Sequence, residues 1–246
     1  MTDLAGRVAA LEWYHTMDLP GGVVTPGFFD IRPVLSRYGL PSRMEGRRVL
    51  DVGTFDGFFA FEFERRGAEV VGLDVPGVES LDWPAPLKAK GTTRFQPRHA
   101  NFDLAREAYG SAVRREFVSV YDVTPENVGT FDVVFVGSVL IHLRDPVGAL
   151  MALRGVCKQG GEIRIVEEFD ARLDLVARVL GRRRVALARL QALSPHLTWW
   201  VPNTNGWQHM LEAAGYTGVQ RGERFTIPFR VGKGGVPHVV LWATNP

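Results

Sequence analysis

One stretch constrains the fold of this chain more than any other: RVLDVGTFDGFFAFEFERRGAEVVGLDVP, residues 48–76. "RVLDV" is apolar and β-branched, which suits a buried strand. Gly53 follows at once, and Gly57 precedes "FFAFEFERRG", which has helical character and ends at Gly67. "AEVVGLD" reads as a second buried strand that ends on Asp74. Further strands are expected at 117–121, 132–137 and 162–167, with helices at 102–110 and 146–157. Strands alternating with helices imply a mostly parallel sheet covered on both faces.

The flanks read differently. Residues 3–18 are expected to form a helix, 19–30 to be turn-rich, and 31–38 to form a short helix. Residues 170–193 read as one long, arginine-rich helix, and 203–216 as a helix capped by Asn203 or Asn205 and ended by Gly215. Two last strands, 217–227 and 237–243, fit an antiparallel pair at one edge of the sheet. The expectation is an α/β, Rossmann-like single domain with a seven-stranded, mostly parallel sheet. It comprises an N-terminal cap (1–44), a core (45–168), a lid insertion (169–202) and a C-terminal helix with a strand pair (203–246).

With 246 residues, 46% of them hydrophobic, the chain can bury a sizeable core. The N-terminus has no continuous apolar run and no stretch reaches membrane-spanning length, so a cytoplasmic location is expected. Cys157 is the only cysteine, which excludes an internal disulfide framework. A net charge of +2 argues against a dedicated nucleic-acid binder. A homodimer through the N-terminal helix or the 170–193 helix is compatible with the sequence.

Strand, glycine turn, helix and strand with a terminal acid form the unit that binds an adenosine-containing cofactor, the acid holding the ribose hydroxyls. Phe55 stands where a dinucleotide site would need a glycine close to the pyrophosphate. S-adenosylmethionine has no phosphate, and its zwitterionic end tolerates a bulkier loop.

"VLDVGTFDGFFA", Asp74, "VSVYDV" and "FDVVFVGSVLIHLRDPVGAL" together resemble a class I S-adenosylmethionine-dependent methyltransferase over roughly residues 45–170. The resemblance implies a set of roles. Gly53 and the backbone of Thr54 and Phe55 border the methionine moiety, and Asp51 orders the loop and meets the ammonium through water. Asp74 binds the ribose. Asp122 accepts the adenine amino group, with Tyr121 or Val123 beside the ring. Gly137 and Ser138 line the sulfonium.

"LEWYHTMDLPGGVVTPGFFD", "VLIHLRDPVGALMALRGVCKQGGEIRIVEE" and "WWVPNTNGWQHMLEAAGYTGVQ" resemble more specifically the wobble-uridine tRNA (carboxy)methyltransferase family. The best-known members of that family use carboxy-S-adenosylmethionine, whose extra carboxylate a tyrosine and an arginine hold. Here Ile141 replaces the tyrosine, and His238 stands where the arginine is expected. A buried carboxylate left unpaired is costly. Ordinary S-adenosylmethionine is therefore the expected cofactor and a small hydroxylated molecule the expected acceptor, with tRNA as the alternative partner.

Methyl transfer to a hydroxyl calls for a general base. His142, just after the fourth core strand, is the candidate, because histidine titrates near neutrality. Glu167 and Glu168 end the fifth core strand at the same sheet edge; adjacent residues of a strand alternate in direction, so one of them should face the site. His142, Asp145 and Glu167 are conceivable Mg2+ ligands, although no spacing motif supports such a site. Trp13, Tyr14, His15, Arg144, Trp199, Trp200 and Asn203 are the candidates for the acceptor pocket, with His15 a second candidate base. For a single tryptophan, core packing is the competing reading. The run "GRRRVALAR" (181–189) reads either as a phosphate-facing surface or as the wet face of a lid helix, with Val179, Leu180, Leu187 and Leu190 inward.

Overall fold

The computed structural model describes residues 4–90, 99–181, 184–193 and 197–246. The central sheet has seven strands: β1 (Arg48–Val52), β2 (Glu69–Asp74), β3 (Arg114–Phe117), β4 (Phe131–Gly137), β5 (Cys157–Glu168), β6 (Thr217–Pro228) and β7 (Gly235–Thr244). Their order across the sheet is β6-β7-β5-β4-β1-β2-β3. Strands β1 to β5 pair in parallel, and β7 pairs antiparallel with both β5 and β6. The expected edge pair is therefore present.

The helices are α1 (Leu4–Ala9), α2 (Phe58–Arg65), α3 (Ala85–Lys90), α4 (His99–Tyr109), α5 (Pro146–Val156), α6 (Ala171–Val179) and α7 (Thr204–Ala213). Side chains alternate across a strand, so each core strand feeds two layers. Leu50, Val134 and Val136 pack with Leu150, Leu153, Trp207 and Leu211 of α5 and α7 on one face. Val49, Val133 and Phe135 pack with Phe59 and Phe63 of α2 and Phe102 of α4 on the other. No helix among the described residues is long and apolar enough to cross a membrane.

Four expectations change. The N-terminal helix stops at Ala9 instead of running to 18, because the backbone beyond it finds other partners. Tyr14 and His15 donate their N–H groups to the Asp56 carboxylate and Thr16 donates to the Phe29 carbonyl; a two-residue ribbon, Asp18–Leu19 with Val23–Val24, follows. The third strand ends at Phe117 rather than spanning 117–121, and 118–122 turn away, Asp122 N donating to Ser119 O. The short helix at 31–38 is a 3-10 helix, Arg32–Tyr38. Finally, the 170–193 helix is α6 alone. Asp170 caps it, Gly181 follows in a left-handed conformation, and Ala188–Leu190 instead pairs with Trp200–Pro202. Arg182 and Arg183 of the arginine run lie outside the described residues. Val179, Leu180 and Leu190, expected inward, are exposed, and Leu187 is half-buried.

Candidate functional site

A cavity of about 1010 Å³ opens at the carboxyl ends of β1 to β5. This is the edge at which doubly wound sheets bind ligands, because each strand there hands the chain to a loop. The loop after β1 forms one wall. Gly53 and Thr54 donate N–H groups to the Leu73 carbonyl, which pins the turn to β2. Gly53 has φ +70°, and a Cβ there would lie 2.6 Å from Val139 Cγ2, so only glycine fits. Phe55 is also left-handed, at φ 55°, and its ring stacks edge-on to Tyr14 at 4.9 Å. The bulky residue is thus partnered by the N-terminal segment within the cavity wall.

Two buried acids face the cavity from the strand ends. Asp51 accepts a hydrogen bond from Thr54 Oγ1 at 2.8 Å, and burial pushes its pKa up to about 7. Asp74 accepts from Val75 N through Oδ1 at 2.8 Å, and burial pushes its pKa up to about 6. Asp74 Oδ2 is buried with no partner among the described residues. A buried acceptor without a donor costs about 1–3 kcal/mol, so this oxygen suits a ligand that supplies one. A ribose hydroxyl at the end of β2 is such a donor, and the residues present fit S-adenosylmethionine.

Farther along the edge, Gly137 and Ser138 also line the cavity. Ser138, at φ 56°, hydrogen-bonds His238 Nε2 at 2.8 Å, while His238 Nδ1 donates to the Val236 carbonyl at 2.9 Å. Burial pushes the His238 pKa down to about 4, so this imidazole is neutral. His142 lines the same cavity, its Nδ1 donating to the Leu197 carbonyl at 2.8 Å. Burial lowers its pKa. A neutral ring that donates from Nδ1 carries its lone pair on Nε2.

Tyr14, His15, Tyr121, Arg144 and Glu168 also line the cavity. Burial raises the pKa of Glu168. Several other candidates do not. Glu167 turns to the backbone, its Oε1 accepting from Val139 N and Leu140 N at 2.9 Å each. It braces the turn that carries His142. Asp122 is exposed and outside the cavity lining, because the third strand ends early and leaves it on the outside of the turn. Tyr121 rather than Val123 reaches the cavity, its hydroxyl donating to Asp82 Oδ2 at 2.7 Å.

Trp13 is core, with its indole N–H on the Val8 carbonyl. Trp199 and Trp200 are bonded instead to the carbonyls of Asp82 and Arg144, outside the cavity lining. Asn203 is fully buried and caps α7; its Oδ1 accepts from Gly206 N and Leu187 N. Asn203→Ala is accordingly expected to lower stability by about 1–2 kcal/mol in chemical unfolding without changing ligand affinity. A loss of ligand affinity at unchanged stability would return Asn203 to the pocket. Among the described residues no three His, Cys, Asp or Glu side chains come together as a metal-holding group. Asp145 is engaged as the N-cap of α5.

Two contributors were not singled out in the sequence, and a third was read without its partner. Asp56 lies in the loop after β1 and is fully buried against His15. Asp82 joins Tyr121, the Arg144 backbone and Trp199. His238 was visible as a departure from a family pattern but not as a partner of Ser138.

The methyltransferase domain family matches residues 29–221. The chain is 28% identical over 174 residues to the tRNA U34 carboxymethyltransferase of Pseudomonas aeruginosa, covering 70% of this chain and 46% of that protein. It is 28% identical over 120 residues to the ubiquinone biosynthesis O-methyltransferase of Acinetobacter baylyi, covering 49% of this chain and 43% of that one. The chain thus spans about half the length of the curated relatives it matches. Among solved structures, the N-terminal domain of EvdMO1 in the presence of S-adenosylhomocysteine and D-fucose has a TM-score of 0.64 at 17% identity. That match covers 98% of this chain and 95% of that one. The chain belongs to the methyltransferase domain family and has the class I fold of S-adenosylmethionine-dependent methyltransferases.

Proposed function

We propose that the protein transfers the methyl group of S-adenosylmethionine to a hydroxyl of a small molecule, a saccharide or another natural product, with His142 as the general base. The observation that carries this reading is the placement of His142: half-buried at the cavity wall, with its Nδ1–H fixed on the Leu197 carbonyl, which leaves Nε2 as the acceptor of the neutral ring. The cofactor, when bound, supplies an electrophilic methyl carbon on a sulfonium leaving group. His142 Nε2 takes the hydroxyl proton as the oxygen–carbon bond forms and the carbon–sulfur bond breaks. Asp74 holds the ribose, and Gly53 leaves room for the amino-acid end. Positioning of this kind supplies much of the rate of a two-substrate transfer.

The acceptor side supports a small ligand. Tyr14, Phe28, Phe29 and Phe229 give it aromatic faces, and Glu168 and Gln191 offer polar groups for hydroxyls. The N-terminal segment and residues 169–202 both contribute to this wall, in keeping with cap and lid roles. EvdMO1, in whose structure D-fucose was present, covers nearly the whole chain.

The alternative is a tRNA wobble-uridine methyl or carboxymethyl transfer, favoured by the names of the curated relatives. Two observations weigh against the carboxymethyl form. Ile141 lies in the cavity wall where a hydroxyl would be needed, and His238 is a neutral imidazole rather than a cation. The test is transfer from radiolabelled S-adenosylmethionine to a panel of sugars and partly methylated oligosaccharides, run beside unmodified tRNA. Label in the small-molecule fraction supports the proposal; label in tRNA overturns it.

A further inference from the structure

The amino-acid end of S-adenosylmethionine carries both an ammonium and a carboxylate, and a site that desolvates them needs a partner of each sign. Asp51 supplies the acid at the end of β1. The basic partner is less obvious, because the other cationic or imidazole groups of the cavity are engaged elsewhere or, in the case of His142, assigned to the acceptor hydroxyl. Lys88 donates to the Glu79 carbonyl, Arg189 is paired with Asp170 at 2.9 Å, and the Arg144 guanidinium lies by Asp82. His238 has both ring nitrogens bonded.

His15 is different. It lines the cavity, its ring packs against Phe58 and Phe59 in the first turn of α2, and it is close enough to Asp51 to influence that acid's ionisation. Its Nδ1 lies 2.5 Å from Asp56 Oδ1. Asp56 Oδ2 accepts the backbone N–H groups of Tyr14 and His15, so a fully buried carboxylate of the cofactor loop holds both the backbone and the ring of this residue. Among the described residues nothing is hydrogen-bonded to Nε2. The arrangement also constrains the facing segment: a Cβ on Gly27 would lie 2.1 Å from the His15 carbonyl carbon, so that position must be glycine for the two stretches to pack.

Resting on the proposed use of S-adenosylmethionine, we propose that His15, positioned by Asp56, is the basic partner of the cofactor's carboxylate. Nδ1 faces Asp56 and Nε2 faces the bound carboxylate, so the ring lies between two carboxylates. Asp51 faces the ammonium on the same side. Asp56 is a positioning residue that ties the N-terminal segment to the cofactor loop, and cofactor binding and the seating of that segment are coupled through it.

The test compares two ligands on the full chain by calorimetry: S-adenosylhomocysteine, and its decarboxylated analogue 5′-deoxy-5′-(3-aminopropylthio)adenosine, which keeps the ammonium and lacks only the carboxylate. The wild-type protein should prefer S-adenosylhomocysteine. His15→Gln should weaken S-adenosylhomocysteine by about tenfold or more, the scale of one charge-assisted hydrogen bond, and leave the analogue's affinity unchanged. Asp56→Asn should narrow the same preference. Thermal unfolding of both variants, with and without adenosine, establishes that the adenosine subsite is intact. Equal losses for both ligands would overturn the assignment in favour of a purely structural role. Unchanged affinity for S-adenosylhomocysteine in His15→Gln would overturn it too. A wild-type protein that binds neither ligand would instead remove the cofactor reading itself.

Discussion

Replacing His142 by alanine is expected to lower kcat by about 10²–10⁴-fold, the usual contribution of a positioned general base. S-adenosylhomocysteine affinity should be unchanged, because Asp51, Gly53 and Asp74, assigned to the cofactor, lie at the ends of β1 and β2, away from the turn after β4 that carries His142. The pH dependence gives a second, independent readout. Burial lowers the His142 pKa from its ordinary 6.5, with the bond to the Leu197 carbonyl opposing the shift. A base acts in its neutral form, so kcat/KM should rise with pH through that lowered pKa and be level at neutrality. The acid limb should therefore lie below pH 6.5 and disappear in His142→Ala. A variant with nearly wild-type kcat, or one that keeps the same acid limb, would transfer the role to Glu168.

The parts of this site legible in the sequence are those that local order dictates. β1, the glycine turn, α2 and β2 follow one another within 27 residues, and their apolar runs, glycines and terminal acid specify one unit. Gly53, Asp51 and Asp74 therefore line the cavity as read. Placement failed where it depended on a strand end. Moving the end of β3 from 121 to Phe117 was enough to turn Asp122 outward while leaving Tyr121 in the wall. It also failed where a side chain had two plausible employers. The two neighbouring tryptophans and Asn203 look like pocket residues in isolation, yet their polar atoms are taken by backbone groups at residues 82, 144, 187 and 206. The contacts that define the far wall are the least legible. His15 meets Asp56 across 41 residues and Ser138 meets His238 across 100, and no periodicity encodes either pairing. The helix expected over 170–193 shows a related limit: its residues favour a helix locally, but pairing of Ala188–Leu190 with Trp200–Pro202 overrides that preference.

Glu167→Ala is expected to lower the unfolding free energy by about 3 kcal/mol or more, since two backbone N–H groups lose their acceptor inside the core at about 1–3 kcal/mol each. Glu167→Gln tests the state of the acid. Burial pushes the Glu167 pKa up to about 8 from an ordinary 4.5, while the N–H groups of the 139–141 turn oppose the shift. Oε1 receives those donors, and Oε2 is buried with no partner among the described residues. That asymmetry fits a carboxylic acid protonated on Oε2, which glutamine matches in shape and charge. The folded chain then holds a proton that the unfolded chain releases between pH 4.5 and about 8. Where the native state binds more protons, stability falls as pH rises. The contribution of Glu167 is thus complete below pH 4.5, is lost progressively towards pH 8, and changes no further above it. Asp51 and Asp74, whose pKa values burial also raises, slope the same way, so the informative quantity is the difference between wild type and Glu167→Gln. Urea unfolding from pH 5 to 8.5 should show the variant gaining on the wild type as pH rises through that window. Parallel curves would mean that Glu167 is ionised in the folded protein. The turn that carries His142 would then rest on a buried anion, held by the N–H groups of Val139 and Leu140.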